Sequence, residues 1–523
     1  MDSQSRRLTR TIFDMPRACV AWMLAAFLVA SLAAAVLIID TRRGDEQPSV
    51  VALTILQLND VYEIMPLSGS DLGGLARVAA LRQQLARENA NTYTVLAGDL
   101  LSPSALSSAR ASDDGRPLNG RQMVDVMNLV GLNYATFGNH EFDLSKADFD
   151  QRMKESSFRW VSSNVTGTDG APFPGVPPNV IITASNRSGR QVRVGLFGLT
   201  IDSTNNSYVR YTDPIEAARR QVDALKGGTD AIVALTHLSL EQDEALAEAV
   251  PDLAMIIGGH EHLNVQERRG PRFVPIVKAD ANAKAVYVHR LRYDADTRRL
   301  DIDSRLQTIT AEITGDPTVE GAVRQWRDRA FAAFRAEGLD PEKTVATLKD
   351  ALDGREGSVR NGRTNLTDVI AKAMMDAFPG ADAAIFNSGS IRLDDMLPPG
   401  PMTQYDVLRV LQFPGTLSAA TIKGAMLERI MNVGRDQRHR NTGGYLQAVG
   451  IEEGAGGLSW TVGGKPLDNT RTYWVVMNDY LLNGREAGLA FIGQHGSDIV
   501  VLPDPPKEFR HAVIERLEKY GGT

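Results

Sequence analysis

The sequence predicts an α/β protein of two layered domains. Apolar runs of strand length alternate with amphipathic stretches of helical period, and this pattern begins twice, near residue 50 and again near residue 346. With 523 residues and 43% hydrophobic content, the chain is long enough to bury a core in each. The expected divisions are an N-terminal segment 1–17, an apolar segment 18–39, a first domain 50–310, a connecting helix 311–345, a second domain 346–505 and a helical tail 506–523.

The apolar segment, Ala18 to Ile39, holds 22 residues without a charge, and a helix of that length spans the hydrocarbon core of a bilayer. Arg6, Arg7, Arg10 and Arg17 precede it and favour a cytoplasmic N-terminus, although Arg42 and Arg43 dilute the asymmetry. The expectation is a single-pass anchor in the cell membrane with everything after it outside the cytoplasm. The small residues Ala33, Ala34 and Ala35 leave open a cleaved signal and a secreted product.

The runs VALTILQL, TYTVLAG, NYATFG, VRVGLFGL, DAIVALT and LAMIIGG are short, branched-aliphatic or aromatic and bounded by Gly or polar residues, as buried strands are. Between them GGLARVAALRQQLARENA, GRQMVDVMNLV and PIEAARRQVDALKGG carry helical periodicity. The run from Ala285 to Ile309 alternates apolar and polar residues around a turn at Asp294 to Thr297, which predicts an antiparallel hairpin closing the first domain. In the second domain, LTDVIAKAMMDAF and TIKGAMLERIMNVG read as helices, ADAAIFNSG and TYWVVMND as strands.

A net charge of -7, with no basic stretch interleaved with aromatics, argues against a nucleic-acid partner. The single cysteine, Cys19, lies in the apolar segment, so a metal in the folded body must be held by His, Asp, Glu or Asn.

The chemistry is legible where polar residues meet strand ends. Asp60, Asp99, Asn139, His237 and the pair His260 and His262 each follow a predicted strand at its carboxyl end, the edge at which α/β sheets collect ligands. Of the eight histidines, four fall at these ends, including His140. One histidine after a strand is ordinarily a satisfied surface or core residue; four together suggest a site. Asp, His and Asn suit divalent Zn, Mn or Fe, and a metal pair polarises a phosphoryl group and activates water at neutral pH.

In order and spacing, Asp60, Gly98-Asp99, Gly138-Asn139-His140-Glu141, His237 and Gly259-His260-Glu261-His262 resemble the calcineurin-like metallophosphoesterases. Gly138-Asn139-His140-Glu141-Phe142-Asp143, together with a second domain, is similar to their 5'-nucleotidase branch, over about residues 51 to 505. The resemblance implies a four-layer α/β/β/α metallophosphoesterase sandwich, two divalent metal ions and a C-terminal α/β substrate-binding domain. By position, Asp60, Asp99 and His262 would hold the first metal with Asp99 bridging, and Asn139, His237 and His260 would complete the second. His140 would contact the phosphate and protonate the leaving oxygen, with Asp143 orienting its ring; Asp143 as a helix N-cap is the other reading. The family's opening Asp-x-His is here Asp60-Val61-Tyr62. Tyr62 would therefore ligate a harder ion such as ferric iron, or give way to water in a weaker first site.

Second-domain segments also match. Arg360 and Arg392 correspond to the family's phosphate- or carboxylate-gripping arginines, Phe413 and Tyr480 to its base-stacking aromatics, and Gly444 to a neighbouring pocket segment. The base loop is altered to Phe413-Pro414-Gly415, and the family's Gly-Gly-Asp-Gly reads Gly484-Arg485-Glu486-Ala487, with Glu486 in the role of ribose acceptor. The leading expectation is a 5'-nucleotidase-like phosphohydrolase acting on extracytoplasmic nucleotides. A cyclic-nucleotide or nucleotide-sugar phosphodiesterase, a non-nucleotide phosphatase, and an inactive nucleotide-binding module are the alternatives.

Overall fold

Strand alternation assigns the layers. In β1 (Val50–Leu58), Val51, Leu53 and Ile55 point to one face and Leu56 and Leu58 include the other, so the strand is apolar on both sides and needs two covers. The computed structural model describes residues 48–202, 207–440, 442–457, 459–494, 496–503 and 505–521. The expected membrane segment 18–39 lies outside them; no helix among the described residues is long and apolar enough to cross a membrane.

Two six-stranded sheets build the first domain. One is ordered β12-β11-β1-β2-β3-β4, where β2 is Thr92–Ala97, β3 Tyr134–Thr136, β4 Arg159–Trp160, β11 Ala285–Asp294 and β12 Arg299–Thr308. The other is ordered β9-β10-β8-β7-β6-β5, where β5 is Asn179–Ser185, β6 Gln191–Thr200, β7 Ala231–His237, β8 Met255–Gly258, β9 Val265–Arg269 and β10 Val274–Lys278. Leu53, Ile55 and Val95 of the first sheet meet Val194, Val233 and Ile257 of the second in a shared core. Outside the first sheet pack α1 (Leu75–Glu88), α2 (Arg121–Val130) and α6 (Pro317–Ala336). Outside the second pack α4 (Pro214–Leu225) and α5 (Leu240–Ala249). Between α2 and α4 in the chain lies α3, Lys146–Glu155. The predicted hairpin forms in register, Ala285 opposite Thr308 and Asp294 opposite Arg299.

The parallel neighbours β1, β2 and β3 end at one edge, as do β7 and β8, so both sheets deliver their following loops to the same place. Beneath the β3 exit, Phe137 is fully buried among Phe142, Phe149, Trp160 and Phe173, with ring centroids 5.0 to 5.9 Å from its own.

The second domain holds a sheet in the order β15-β13-β16-β14-β17, with β13 Ala383–Asn387, β14 Thr416–Lys423, β15 Leu446–Val449, β16 Thr472–Asn478 and β17 Ile499–Val501. Its helices include α7 (Asn365–Ala377), α8 (Gln404–Val410), α9 (Gly424–Arg435) and α10 (Phe509–Tyr520).

Three elements differ from the sequence reading. Thr421-Ile422-Lys423, read as the start of a helix, finishes β14 instead, because Ile422 buries in the sheet core and pairs with Tyr473. Helix α6 is a layer of the first domain as well as a connector, burying Val319, Val323 and Phe334 against α1 and α2. The helical tail is core: α10 buries Phe509, Val513, Ile514 and Leu517 and packs on α7 and α8.

Burial of the aromatic cluster is expected to hold the β3 exit in place. Phe149→Ala should cost about 3–5 kcal/mol of unfolding free energy, the usual range for truncating a buried ring. Denaturant unfolding followed by tryptophan fluorescence checks this, and a loss below ~1 kcal/mol would show that the cluster repacks freely.

Candidate metal centre and substrate cleft

The residues that leave the strand ends are held by unusual backbone. Asp60, Asp99, His260 and His262 all adopt positive φ (53°, 59°, 85° and 56°), a region non-glycine residues seldom enter and one that clusters at functional sites. Glycine beside them allows this. A Cβ on Gly138 would stand 2.0 Å from Oδ1 of Asp99, and one on Gly98 would stand 2.4 Å from Nδ1 of His237. The buried carboxylate of Glu141 fastens the two loops, accepting from the backbone N–H of Asp99 (3.1 Å), Leu101 (3.2 Å), Leu100 and Gly138.

Each carboxylate divides its oxygens between scaffold and site. Oδ2 of Asp60 accepts from Asn59 Nδ2 (2.7 Å) and from the N–H of His260 (3.0 Å), leaving Oδ1 3.3 Å from Nε2 of His262 and 3.9 Å from Nε2 of His237. Oδ1 of Asp99 accepts from the N–H of His140 (2.9 Å), leaving Oδ2 3.3 Å from Nε2 of His237. Oδ1 of Asn139 lies 3.1 Å from that same Nε2, and the His260 ring lies 5.2 Å from the His237 ring. All six predicted ligand residues thus converge. One ligand atom each from Asp60, Asp99 and His237 falls within 4.8 Å of the other two, a spacing and a donor set that fit divalent metal.

Tyr62 joins this cluster. Its hydroxyl donates to Oδ2 of Asp99 (2.8 Å) and lies 3.0 Å from Nε2 of His262, and its own N–H is held by Oδ1 of Asn282 (3.0 Å). Burial, reinforced by Asp99 and Asp60, pushes the phenol well above its ordinary pKa. For His237, burial disfavours the charged ring, yet Asp99 and Asp60 outweigh it and lift the pKa to about 9. Burial and the neighbouring His237 push His260 down to about 3.

Below the cluster, the buried ammonium of Lys278 donates to the carbonyls of Leu238 (2.7 Å) and Gly259 (2.9 Å) and pairs with Asp243 (3.0 Å) and Glu261. It pins the ends of β7 and β8 in mutual register.

His140 lines the cleft beside the cluster, and its Nδ1 lies 2.7 Å from Oδ2 of Asp143. Burial lowers its proton affinity, but Asp143 and Asp99 overcome that and raise the pKa above the usual imidazole value. Asp143 is engaged here and is not a helix N-cap: Ser145 caps α3, accepting from the N–H of Asp148.

The second domain forms the opposite wall of this cleft, whose volume is about 1080 Å³. Arg360, Arg392, Phe413, Tyr480 and Glu486 all face it. Phe413 and Tyr480 are 52% and 41% exposed, which core packing does not explain, and Arg392 stacks its guanidinium 5.3 Å from the Phe413 ring centre. Arg360 pairs with Glu356 on its own helical turn. Glu486 accepts from Nδ2 of Asn387 (2.8 Å), and burial raises its pKa. The 442–447 segment reaches the cleft through Thr442 and Gly443, while Gly444 stands behind them, where a Cβ would lie 3.2 Å from Oε1 of Glu486.

Sequence reasoning passed over the scaffolding roles of Asn59, Glu141, Lys278 and Asn282, and Asp394 of the second domain. Glu141 carried a signal, since it stands inside the Asn-His-Glu motif; the others depend on contacts between distant segments.

Because no room exists for a Cβ, Gly138→Ala and Gly98→Ala should displace Asp99 and His237. Divalent-ion affinity should fall about 10–100-fold or more, the range seen when ligand support is lost, with far-UV circular dichroism unchanged. Unaltered ion binding by calorimetry would contradict the placement of Asp99 and His237 at a metal site.

Comparison with known proteins agrees with the geometry. The family model described as "Calcineurin-like phosphoesterase" matches residues 53–264, and "5'-nucleotidase, C-terminal domain" matches residues 344–491. The chain is 25% identical over 447 residues to the 5'-nucleotidase of Bos taurus, covering 76% of this chain and 74% of that protein. A 5'-nucleotidase precursor from Thermus thermophilus has the same fold, with a TM-score of 0.70 at 24% identity over 90% of this chain and 96% of that one. So does the sulfate thiohydrolase SoxB of Thermus thermophilus, at a TM-score of 0.64 and 16% identity over 90% of this chain and 94% of that one. With a phosphoesterase match over its strand-end cluster and a 5'-nucleotidase match over the facing domain, the chain belongs to the 5'-nucleotidase family of the calcineurin-like metallophosphoesterases, hydrolases of phosphate esters.

Proposed function

We propose that the protein releases phosphate from nucleoside 5'-monophosphates outside the cytoplasmic membrane, with two divalent ions held by Asp60, Asp99, Asn139, His237, His260 and His262. The observation that carries the reading is a single cleft with the ligand cluster and His140 on one wall and Arg360, Arg392, Phe413 and Tyr480 on the other. The exported location rests on the charge-free stretch 18–39.

Mn, Zn or Fe would fit the donor set, and when bound such ions supply Lewis acidity toward the phosphoryl oxygens. Tyr62 stands within reach of the first position, a hard oxygen in place of the family's imidazole, which favours a harder ion there. Arg360 and Arg392 present guanidinium groups to the anion. Phe413 and Tyr480 offer exposed rings to a flat base. His140 holds a proton on Nε2 while Asp143 occupies Nδ1, fixing the tautomer and stabilising the imidazolium that donates to the departing ribose oxygen.

Pro414 removes an N–H from the base loop and Gly415 brings no side-chain amide, which weakens base-specific hydrogen bonding. This favours, as a second reading, a substrate held less by its base, such as a cyclic nucleotide, a nucleotide sugar or a non-nucleotide phosphate ester.

The purified protein, loaded in turn with Mn, Zn, Mg or Fe, should release phosphate from nucleoside monophosphates faster than it cleaves cyclic nucleotides or a generic phosphodiester, and chelation should abolish turnover. Hydrolysis of none of these with any metal would refute both readings. His140→Asn should lower kcat about 10²–10⁴-fold, the contribution of a general acid, with metal content unchanged. Loss of metal would instead make His140 a ligand. Phe413→Ala should raise KM for nucleoside monophosphates about 10-fold, from stacking worth ~1–3 kcal/mol, and leave KM for p-nitrophenyl phosphate unaltered. An equal change for both substrates would remove Phe413 from base binding.

A further inference from the structure

A metal-ligating imidazole ordinarily gives its second nitrogen to an acceptor that fixes tautomer and ring orientation. For His237 that acceptor is local: Nδ1 lies 2.8 Å from the carbonyl of Ala97, at the end of β2 in the same domain. His262 is arranged differently. Its Nε2 faces Asp60 (3.3 Å) and Tyr62 (3.0 Å), while its Nδ1 lies 2.8 Å from Oδ2 of Asp394, a residue of the second domain.

The position of Asp394 is built for this contact. Its backbone adopts φ 39°, a conformation unfavourable for a residue other than glycine, and its Oδ1 accepts from the backbone N–H of Glu356. Glu356 begins the helical turn Glu356–Val359, and its side chain pairs with Arg360 in the cleft. One carboxylate therefore joins a ligand of the first domain to the turn that leads to the anion-facing arginine of the second. The next residue, Asp395, makes a separate bridge across the boundary, 2.8 Å from Nζ of Lys284.

We infer that Asp394 is a positioning residue for the first metal, orienting His262 from across the domain boundary, so that the second domain supplies part of the support of the metal centre. This rests on the reading of His262 as a ligand. The contact requires Nδ1–H to donate to Asp394, which leaves the Nε2 lone pair directed at the space beside Asp60 and Tyr62.

The test uses the full chain stripped of metal and titrated with Mn(II), with bound ions counted by electron paramagnetic resonance and calorimetry. The wild type should bind two ions. Asp394→Ala should weaken one of them about 10–100-fold and spare the other, as loss of outer support does at other metal sites. Asp394→Asn, whose amide oxygen still accepts from Nδ1–H without a full charge, should fall between the two and serves if the alanine variant folds poorly. Asp395→Ala, which breaks the neighbouring bridge to Lys284 and a local hydrogen bond from the Met396 N–H but leaves His262 untouched, should titrate as the wild type. Two ions bound with wild-type affinity in both Asp394 variants would overturn the inference while leaving the metal reading intact. An equal loss in Asp395→Ala would overturn it in favour of a general effect of the domain contact. A wild type that binds no ion would remove the metal reading itself.

Discussion

The strand-end cluster of Asp, Asn and His residues depends on one buried carboxylate. Glu141 gathers backbone N–H groups from the loop after β2 and the loop after β3, and burial followed by the charge of Asp99 raises its pKa to about 7. Backbone donors are cheap to supply and expensive to leave unmet in a core, so a side chain that satisfies several at once fixes both loops together. The close approach of Gly138 to Asp99 follows, and so does the left-handed backbone that turns Asp99 toward the cleft. Removal of this anchor would leave the two loops without a shared reference point.

Around that anchor, charges are balanced over short distances. Asp60 and Asp99 are buried, and His237 and His262 hold the Asp60 carboxylate below its usual range despite the desolvation that opposes ionisation. Each carboxylate uses one oxygen for the scaffold and presents the other, which gives the site its direction as well as its charge. Lys278 performs a related task underneath, where a buried ammonium would be prohibitive without Asp243, Glu261 and two carbonyls to receive it. Tyr62 adds a neutral donor to the same assembly.

The legible part of this design lay in the strand exits. Branched-aliphatic runs followed at once by Asp, Asn or His are visible in a single sequence because both the strand and its exit are local. The converging positions of Asp60, Asp99 and His237 therefore followed from the sheet edge alone. What stayed hidden was set by contacts between remote segments. Asp394 has no local mark that would tie it to His262, and the amphipathic residues 509–520 look the same whether they fray in solvent or close a core. Thr421 to Lys423 could extend a strand or begin a helix, and pairing with Tyr473 and Ile499 decides it. The role of Asp143 turned on competition from Ser145, a better-placed cap two residues further along the same loop.

The hydrophobic core under α6 continues without interruption into the second domain, where Phe331 meets Tyr405 at 5.2 Å between ring centres. The Tyr405 hydroxyl donates to Oε2 of buried Glu63 (2.8 Å), and Arg409 lies 3.4 Å from its Oε1. The two units are thus less modular than their separate sheets suggest. A chimaera that kept the first unit and borrowed a second lacking counterparts of Tyr405 and Arg409 would leave Glu63 without its partners, and a buried charge stripped of its counterpart costs about 3–5 kcal/mol. Recombination within the family is therefore constrained at the seam as well as at the cleft, and the seam residues would have to travel with the half they serve.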